Sequence, residues 1–211
     1  MKKLFNWPNL LTFFRILLTP LFLYFLFGNQ PYFEIFALLI FIIASVTDIY
    51  DGYIARKYAS VTKLGKFLDP LADKILMSAA FISFVILDLV PLWMVILVIL
   101  RDFIVTGIRI LMNSRHLTME TRKSAKTKTG VQVGVVCFIL AYLITQRWEI
   151  FLGISDYVRL IEEYRIIYIL MLITTIITIW TGVEYILVNK DKIQQALKKW
   201  ILPELKNYSP G

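Results

Sequence analysis

The sequence predicts an all-α integral membrane protein. Six transmembrane helices are expected, with a short interfacial lead-in at the N-terminus and an amphipathic tail at the C-terminus. Three observations carry that expectation. The 211 residues are 58% hydrophobic, with a mean hydropathy of +0.69, more apolar than a water-soluble domain of this length. Apolar runs near the roughly 20 residues needed to cross a hydrocarbon core recur along the chain. The net charge of +8 gathers in particular connections, as in proteins whose loops are sorted by the membrane. Basic clusters beside apolar spans suit anionic lipid headgroups rather than nucleic acid. The single cysteine, Cys137, falls mid-span, which leaves no disulfide within one chain and reads as a packing residue.

Taken in order, residues 1–8 (MKKLFNWP) form a basic, aromatic lead-in suited to the interface. Asn9 to Phe27 is the first span, too long and without the small-residue cleavage site of a signal peptide. Within it Asn9, Thr12 and Arg15 recur at i, i+3 and i+6, a polar stripe. Arg15 either snorkels to the headgroups or meets a ligand. Asn29-Gln30-Pro31 is a turn, and the second span runs from about Tyr32 to Ala55. The third runs from Gly65 to Asp88, with Pro70 in its first turns, where a missing N–H is best tolerated. Leu89-Val90-Pro91 turns into the fourth, Leu92 to Met112. Residues 113–127 are polar and basic, and His116, the only histidine, reads as a solvated loop residue. The fifth span is Lys128 to Thr145, a mixed-charge loop follows over 146–163, and the sixth is Tyr164 to Val188. Residues 1–190 thus form one membrane domain, and 191–211 a cytoplasmic tail whose Ile193, Leu197, Trp200 and Ile201 share one side.

Loop charge orients the bundle. Arg56, Lys57, Lys63 and Lys66 lie between spans two and three, and Arg115, Arg122, Lys123 and Lys126 between four and five. The first and third turns carry no Lys or Arg, and acids balance Arg147 and Arg159 in the fifth connection. Positive residues stay inside, so the chain is expected to be multi-pass in the cell membrane, with both termini cytoplasmic.

Carboxylates at the edge of this apolar slab mark the expected site. Asp48 and Asp51 are i, i+3, with Ala55 on the same helix face, and Gly65, Asp69 and Asp73 repeat at i, i+4, i+8. Two helices joined by a short linker run antiparallel, which lets these faces oppose each other. Four carboxylates repel one another unless cations neutralise them, and one or two hard divalent metals do so most simply. Gly52, Ala55 and Gly65 leave room for a bulky ligand beside the acids, and Arg56 sets a cation near an entering anion. Asp48 lies eight residues from Arg56, roughly 12 Å of helix below the cytoplasmic surface.

Asp48-x-x-Asp51-Gly52-x-x-Ala55-Arg56, eight residues, then Gly65-x-x-x-Asp69-x-x-x-Asp73 resembles the signature of the CDP-alcohol phosphotransferases at all eight specified positions. The resemblance implies a lipid-modifying transferase with Asp48, Asp51, Asp69 and Asp73 holding a pair of Mg2+ or Mn2+ ions. Asp73 would also be the general base. It implies that Arg56 holds the pyrophosphate of a CDP-lipid, with Asn9, Thr12, Gly52, Ala55 and Gly65 lining that pocket, and that the protein is a homodimer.

A second polar group lies in span four. Arg101 and Asp102 stand deep in an apolar run, and Arg109 follows eight residues on, close to the same face. Arginines there should face the bundle interior and meet an anion, either a ligand or a site carboxylate. With Lys126 and Lys128 at the head of span five they would recognise a phosphate, which guanidinium binds bidentately. Arg101-x-Phe103-x-Val105-Thr106-Gly107-x-Arg109, Lys126-x-Lys128-Thr129 and Gly182-Val183-Glu184-Tyr185 resemble the branch that makes phosphatidylglycerophosphate. That narrows the expected substrates to CDP-diacylglycerol and sn-glycerol 3-phosphate. Three other readings stay open: another acceptor, such as phosphatidylglycerol or inositol phosphate; a divalent-cation transporter, against which the clustering of the acids at one end speaks; and a membrane scaffold, which would not need all eight positions.

Overall fold

Backbone placed in hydrocarbon must satisfy its own N–H and C=O groups, and an α-helix does this within one segment. The structure, a computed structural model, describes residues 7–58, 65–114 and 124–194, with side chains placed over 13–47, 74–112, 128–148 and 153–194. Every regular element among the described residues is helical: α1 (Trp7–Leu26), α2 (Phe33–Tyr58), α3 (Gly65–Ile86), α4 (Leu92–Ser114), α5 (Ser124–Leu152), α6 (Ser155–Glu163) and α7 (Ile166–Val188). The six long helices fall where the apolar runs predict. Most of the tail, 195–211, and loop residues such as His116 lie outside the described residues.

The residue pattern makes this an all-helical membrane protein. Lys128–Trp148 of α5 and the whole of α7 are long and apolar enough to cross a membrane, and shorter apolar stretches occupy α1, α2 and α3. Outward-facing positions on the other helices are apolar too. Phe13, Leu17 and Tyr24 on α1, Ile43 on α2, Ile82 and Ile86 on α3, and Ile96, Leu100 and Ile104 on α4 are exposed. Apolar belts of that extent are foreign to a water-facing surface. Inside, Phe22, Phe41, Phe81, Phe84, Met94, Ile139, Leu140 and Met171 are fully buried. The inner face of α7 is more polar, with Thr174, Thr175, Thr178, Thr181 and Gly182 buried. Small and hydroxylated residues let helices approach closely where no hydrophobic drive separates them from lipid. Cys137 packs at the edge of the apolar core, as expected.

Two local expectations change, besides shifts of a few residues at other helix ends, where α5 already begins at Ser124. Residues 146–163 are not a loop: α5 continues to Leu152, Gly153 takes a left-handed conformation (φ 64°), and α6 follows. Val158 anchors that short helix in the core, and Tyr142 donates a 2.7 Å hydrogen bond to Glu162 Oε1. The third helix ends at Ile86 rather than Asp88. Asp88 is left-handed (φ 56°), and Leu89 N–H donates to Phe84 O at 2.9 Å while Asp88 N–H donates to Val85 O at 3.0 Å. This is a Schellman closure with aspartate in the place usually held by glycine.

Helix α1 packs on both α2 and α3, α4 on α3 and α7, and α5 on α2 and α7. The end of α1, the start of α2, the end of α3 and the last turns of α5 share one cleft, lined by Phe27, Glu34, Leu87, Leu143 and Arg147 among others. Helices α2 and α3 therefore run antiparallel, as the short linker implies. Direct α2–α3 packing is not among the main helix contacts of the described residues, where α1 is their common neighbour. At the cleft, Arg147 Nε lies 2.5 Å from Glu34 Oε1, and Trp148 Nε1 donates to Pro31 O at 3.2 Å. The opposite end therefore receives the start of α1, the end of α2, the start of α3, the end of α4, the start of α5 and the end of α7.

Candidate active site

That opposite end receives the helix segments that carry the signature residues. Asn9 and Thr12 stand in the first turns of α1. Asp48, Asp51, Gly52, Ala55 and Arg56 occupy the last turns of α2, which continues past the expected limit at Ala55. Gly65 opens α3, with Asp69 and Asp73 one and two turns further in. Both segments are helical, so the i, i+3 and i, i+4, i+8 spacings do put the acids on single faces. The side chains of these residues, and of Lys126 in the first turn of α5, lie outside the described residues. Arg15 is only 2% exposed. It points into the bundle, which removes the snorkelling alternative.

The side chains of α4 are described, and they form one ionic group. Asp102 is buried and takes a hydrogen bond from Lys128 Nζ on its Oδ1. The same oxygen accepts Arg101 Nη1 at 3.1 Å, and Lys74 Nζ stands 3.9 Å from Oδ2. Lys74 directly follows Asp73 in α3. One carboxylate thus joins cations from α3, α4 and α5.

Helix α7 supplies the other half of the support. Arg101 Nη2 donates to Thr181 Oγ1 at 3.0 Å, and the Thr181 hydroxyl donates onward to Ile177 O at 2.9 Å. A Cβ on Gly182 would come within 2.8 Å of Arg101 Cγ and 2.9 Å of its Nε. Only glycine leaves room for Arg101 to lie across α7. One turn on, the Arg109 guanidinium carbon stands 5.8 Å from the Tyr185 ring centre, within cation–π range. Tyr185 is buried, whereas Arg109 remains exposed. Arg101 Nε is buried with no acceptor among the described residues.

Arg101 and Lys128 therefore meet on Asp102, while Arg109 leans separately on Tyr185. Among the described side chains, the anion that Arg101 meets is Asp102. Sequence reasoning noted Asp102 but assigned it no partner, and it passed over Lys74 and Thr181. Adjacency to Arg101 in an apolar run was the available signal for Asp102. Nothing in residue spacing links position 102 to 128 or 101 to 181.

Comparison with known proteins agrees. A 42% identical relative in Bacillus subtilis (strain 168) matches over 151 residues, 66% of this chain and 78% of that protein. A 35% identical relative in Rickettsia bellii (strain RML369-C) matches over 184 residues, 85% of this chain and 93% of that protein. Both carry the name CDP-diacylglycerol–glycerol-3-phosphate 3-phosphatidyltransferase. The family model described as CDP-alcohol phosphatidyltransferase matches residues 5–180. Signature, helical frame and family model coincide over most of the sequence, and the chain belongs to the CDP-alcohol phosphatidyltransferase family.

Proposed function

We propose that the protein transfers the phosphatidyl group of CDP-diacylglycerol to sn-glycerol 3-phosphate, releasing CMP. The observation that carries this reading is the ionic group on Asp102. Through Lys74 it ties a cationic cluster fit for a phosphate monoester to the helix segment bearing Asp69 and Asp73. The names borne by the relatives point the same way.

In this reading Arg101, Arg109, Lys126 and Lys128 hold the acceptor's phosphate and so fix where its free hydroxyl stands. Asp73 takes the proton of that hydroxyl as the oxygen attacks the phosphorus bearing the diacylglycerol. The phosphorus–oxygen bond to the CMP phosphate breaks, and CMP leaves with that bond's electron pair. Arg56 braces the pyrophosphate, while Asn9, Thr12, Gly52, Ala55 and Gly65 line the cytidine side. Asp48, Asp51, Asp69 and Asp73 are hard oxygen donors on two helices, a donor set that fits Mg2+ or Mn2+. When bound, such ions neutralise the pyrophosphate and the charge that grows on the leaving group. Excess chelator should therefore abolish CMP release, and added Mg2+ or Mn2+ should restore it.

The reading also includes six membrane crossings with both termini and the site on the cytoplasmic side, and a homodimer, as the family resemblance implies. Alternating helix ends and loop charge support the crossings. The deciding measurement is CMP release by purified protein with CDP-diacylglycerol and one acceptor at a time: glycerol 3-phosphate, serine, inositol phosphate or phosphatidylglycerol. Glycerol 3-phosphate should give the highest kcat/KM. A higher value with any other acceptor rejects the assignment.

A further inference from the structure

We infer that Asp102 is a positioning residue for the acceptor: it arranges Lys74, Arg101 and Lys128 as one phosphate-facing group without touching the phosphate itself. The inference rests on the reaction proposed above. Asp102 is buried and anionic, so a phosphate placed against it would be repelled. Its effect must pass through the cations it holds. Those cations come from three different helices, α3, α4 and α5, and converge on the two oxygens of this one carboxylate. The formal charge of the four side chains is +3 − 1 = +2, so the carboxylate holds the cations together without cancelling them. A phosphate monoester near neutral pH carries about −1.5 to −2, so the group keeps a net attraction for it.

The cations do not depend on Asp102 equally. Arg101 has a second anchor in Thr181 and a fitted space over Gly182. Lys128 is 3% exposed and bonded to Asp102. A buried ammonium that loses its carboxylate is strongly disfavoured where it stands, so Lys128 should be displaced first. Lys74 matters for another reason. It is the chain neighbour of Asp73, so the distance between the acceptor's phosphate and the proposed base is set partly by this bridge. An enzyme that must present one hydroxyl of a small acceptor to a base gains from fixing the phosphate at a set distance from it.

The test compares full-length wild type with Asp102→Asn, Asp102→Glu and Thr181→Val, purified in detergent, by KM and kcat for each substrate alongside thermal unfolding. Losing a hydrogen bond to a charged group typically costs about tenfold or more. Asp102→Asn should raise KM for glycerol 3-phosphate by at least that factor and leave KM for CDP-diacylglycerol within about twofold. Asp102→Glu keeps the charge but moves it by one methylene, and should raise the acceptor KM by roughly three- to tenfold. Thr181→Val removes one acceptor from Arg101 and should give a rise in the same lower range. A folded Asp102→Asn protein with an unchanged or lower acceptor KM overturns the inference, the lower value meaning that Asp102 competes with the phosphate. Equal losses for both substrates with a lower Tm also overturn it, making Asp102 a staple between helices. Where Asp102→Asn does not fold, Asp102→Glu decides, and no acceptor-selective change in it is a rejection. Wild-type protein inactive with glycerol 3-phosphate rejects instead the reaction on which the inference stands.

Discussion

A guanidinium beside apolar helices is costly unless partners meet it, and Arg101 and Arg109 have different partners. Arg101 is engaged by Asp102 and Thr181. Arg109 rests on the Tyr185 ring and stays exposed, and the proposed reaction gives it the acceptor's phosphate as partner. Arg109→Ala should therefore cost on the order of 2–4 kcal/mol of acceptor binding, or roughly 30- to 1,000-fold in KM for glycerol 3-phosphate. KM for CDP-diacylglycerol should be nearly unchanged, and a parallel rise in both would assign Arg109 to the fold. Arg109→Lys keeps the charge but cannot form a bidentate pair, so it should rescue only in part. Asp73 is tested through the chemical step. Asp73→Asn should lower kcat by roughly 10²- to 10⁴-fold, the range of general-base contributions, while CDP-diacylglycerol binding persists. A variant within about tenfold of wild type would remove Asp73 from that role.

Among the elements, the α1–α2 turn is locked to the end of α5 by side chains that have no part in the chemistry. Glu34 is buried, its Oε1 pairs with Arg147, and its Oε2 has no partner among the described residues. Arg147 itself is partly exposed, which weakens the pair relative to a fully buried one. Arg147→Ala strands a buried carboxylate and should destabilise the protein by about 1–3 kcal/mol. Thermal unfolding should register that loss while KM for glycerol 3-phosphate holds, because the pair lies at the end opposite the acids. The same scale shows what the sequence could and could not disclose. The six long helices were legible because each is an apolar run bounded by turn or charge signals. Helix α6 was not: residues 155–163 mix charged and apolar residues over two and a half turns, and docking on α5 and α7 holds them helical. The acid positions were legible because helical spacing alone puts them on one face. The Asp102 bridge was not, since its partners come from three helices and only the packing of the bundle brings them together.

For the molecule as a whole, the strongest constraint is the alternation of ends. Each long helix reverses direction, so the Glu34–Arg147 cleft and the gathered site residues occupy opposite ends. Which end faces the cytoplasm then fixes where substrates must come from. The site end carries the basic connections, with Arg56, Lys57, Lys63 and Lys66 in one and Arg115, Arg122, Lys123 and Lys126 in another, whereas the 1–2 and 3–4 turns carry none. Short loops with excess Lys and Arg are retained on the cytoplasmic side. In the proposed reaction the acceptor is soluble and charged and does not cross hydrocarbon unaided, so the proposed site would open on the side that supplies it. Orientation and chemistry thus demand the same arrangement, and a labelling experiment can break them apart. Cys137 is the single native cysteine, so Cys137→Ser gives a silent background for Gln30→Cys and Lys190→Cys, both at exposed positions. A membrane-impermeant maleimide should label Gln30→Cys in intact cells and Lys190→Cys only after the membrane is opened. The reverse pattern would place the acids on the outer face, away from the cytoplasmic acceptor, and the proposed reaction could not stand with it.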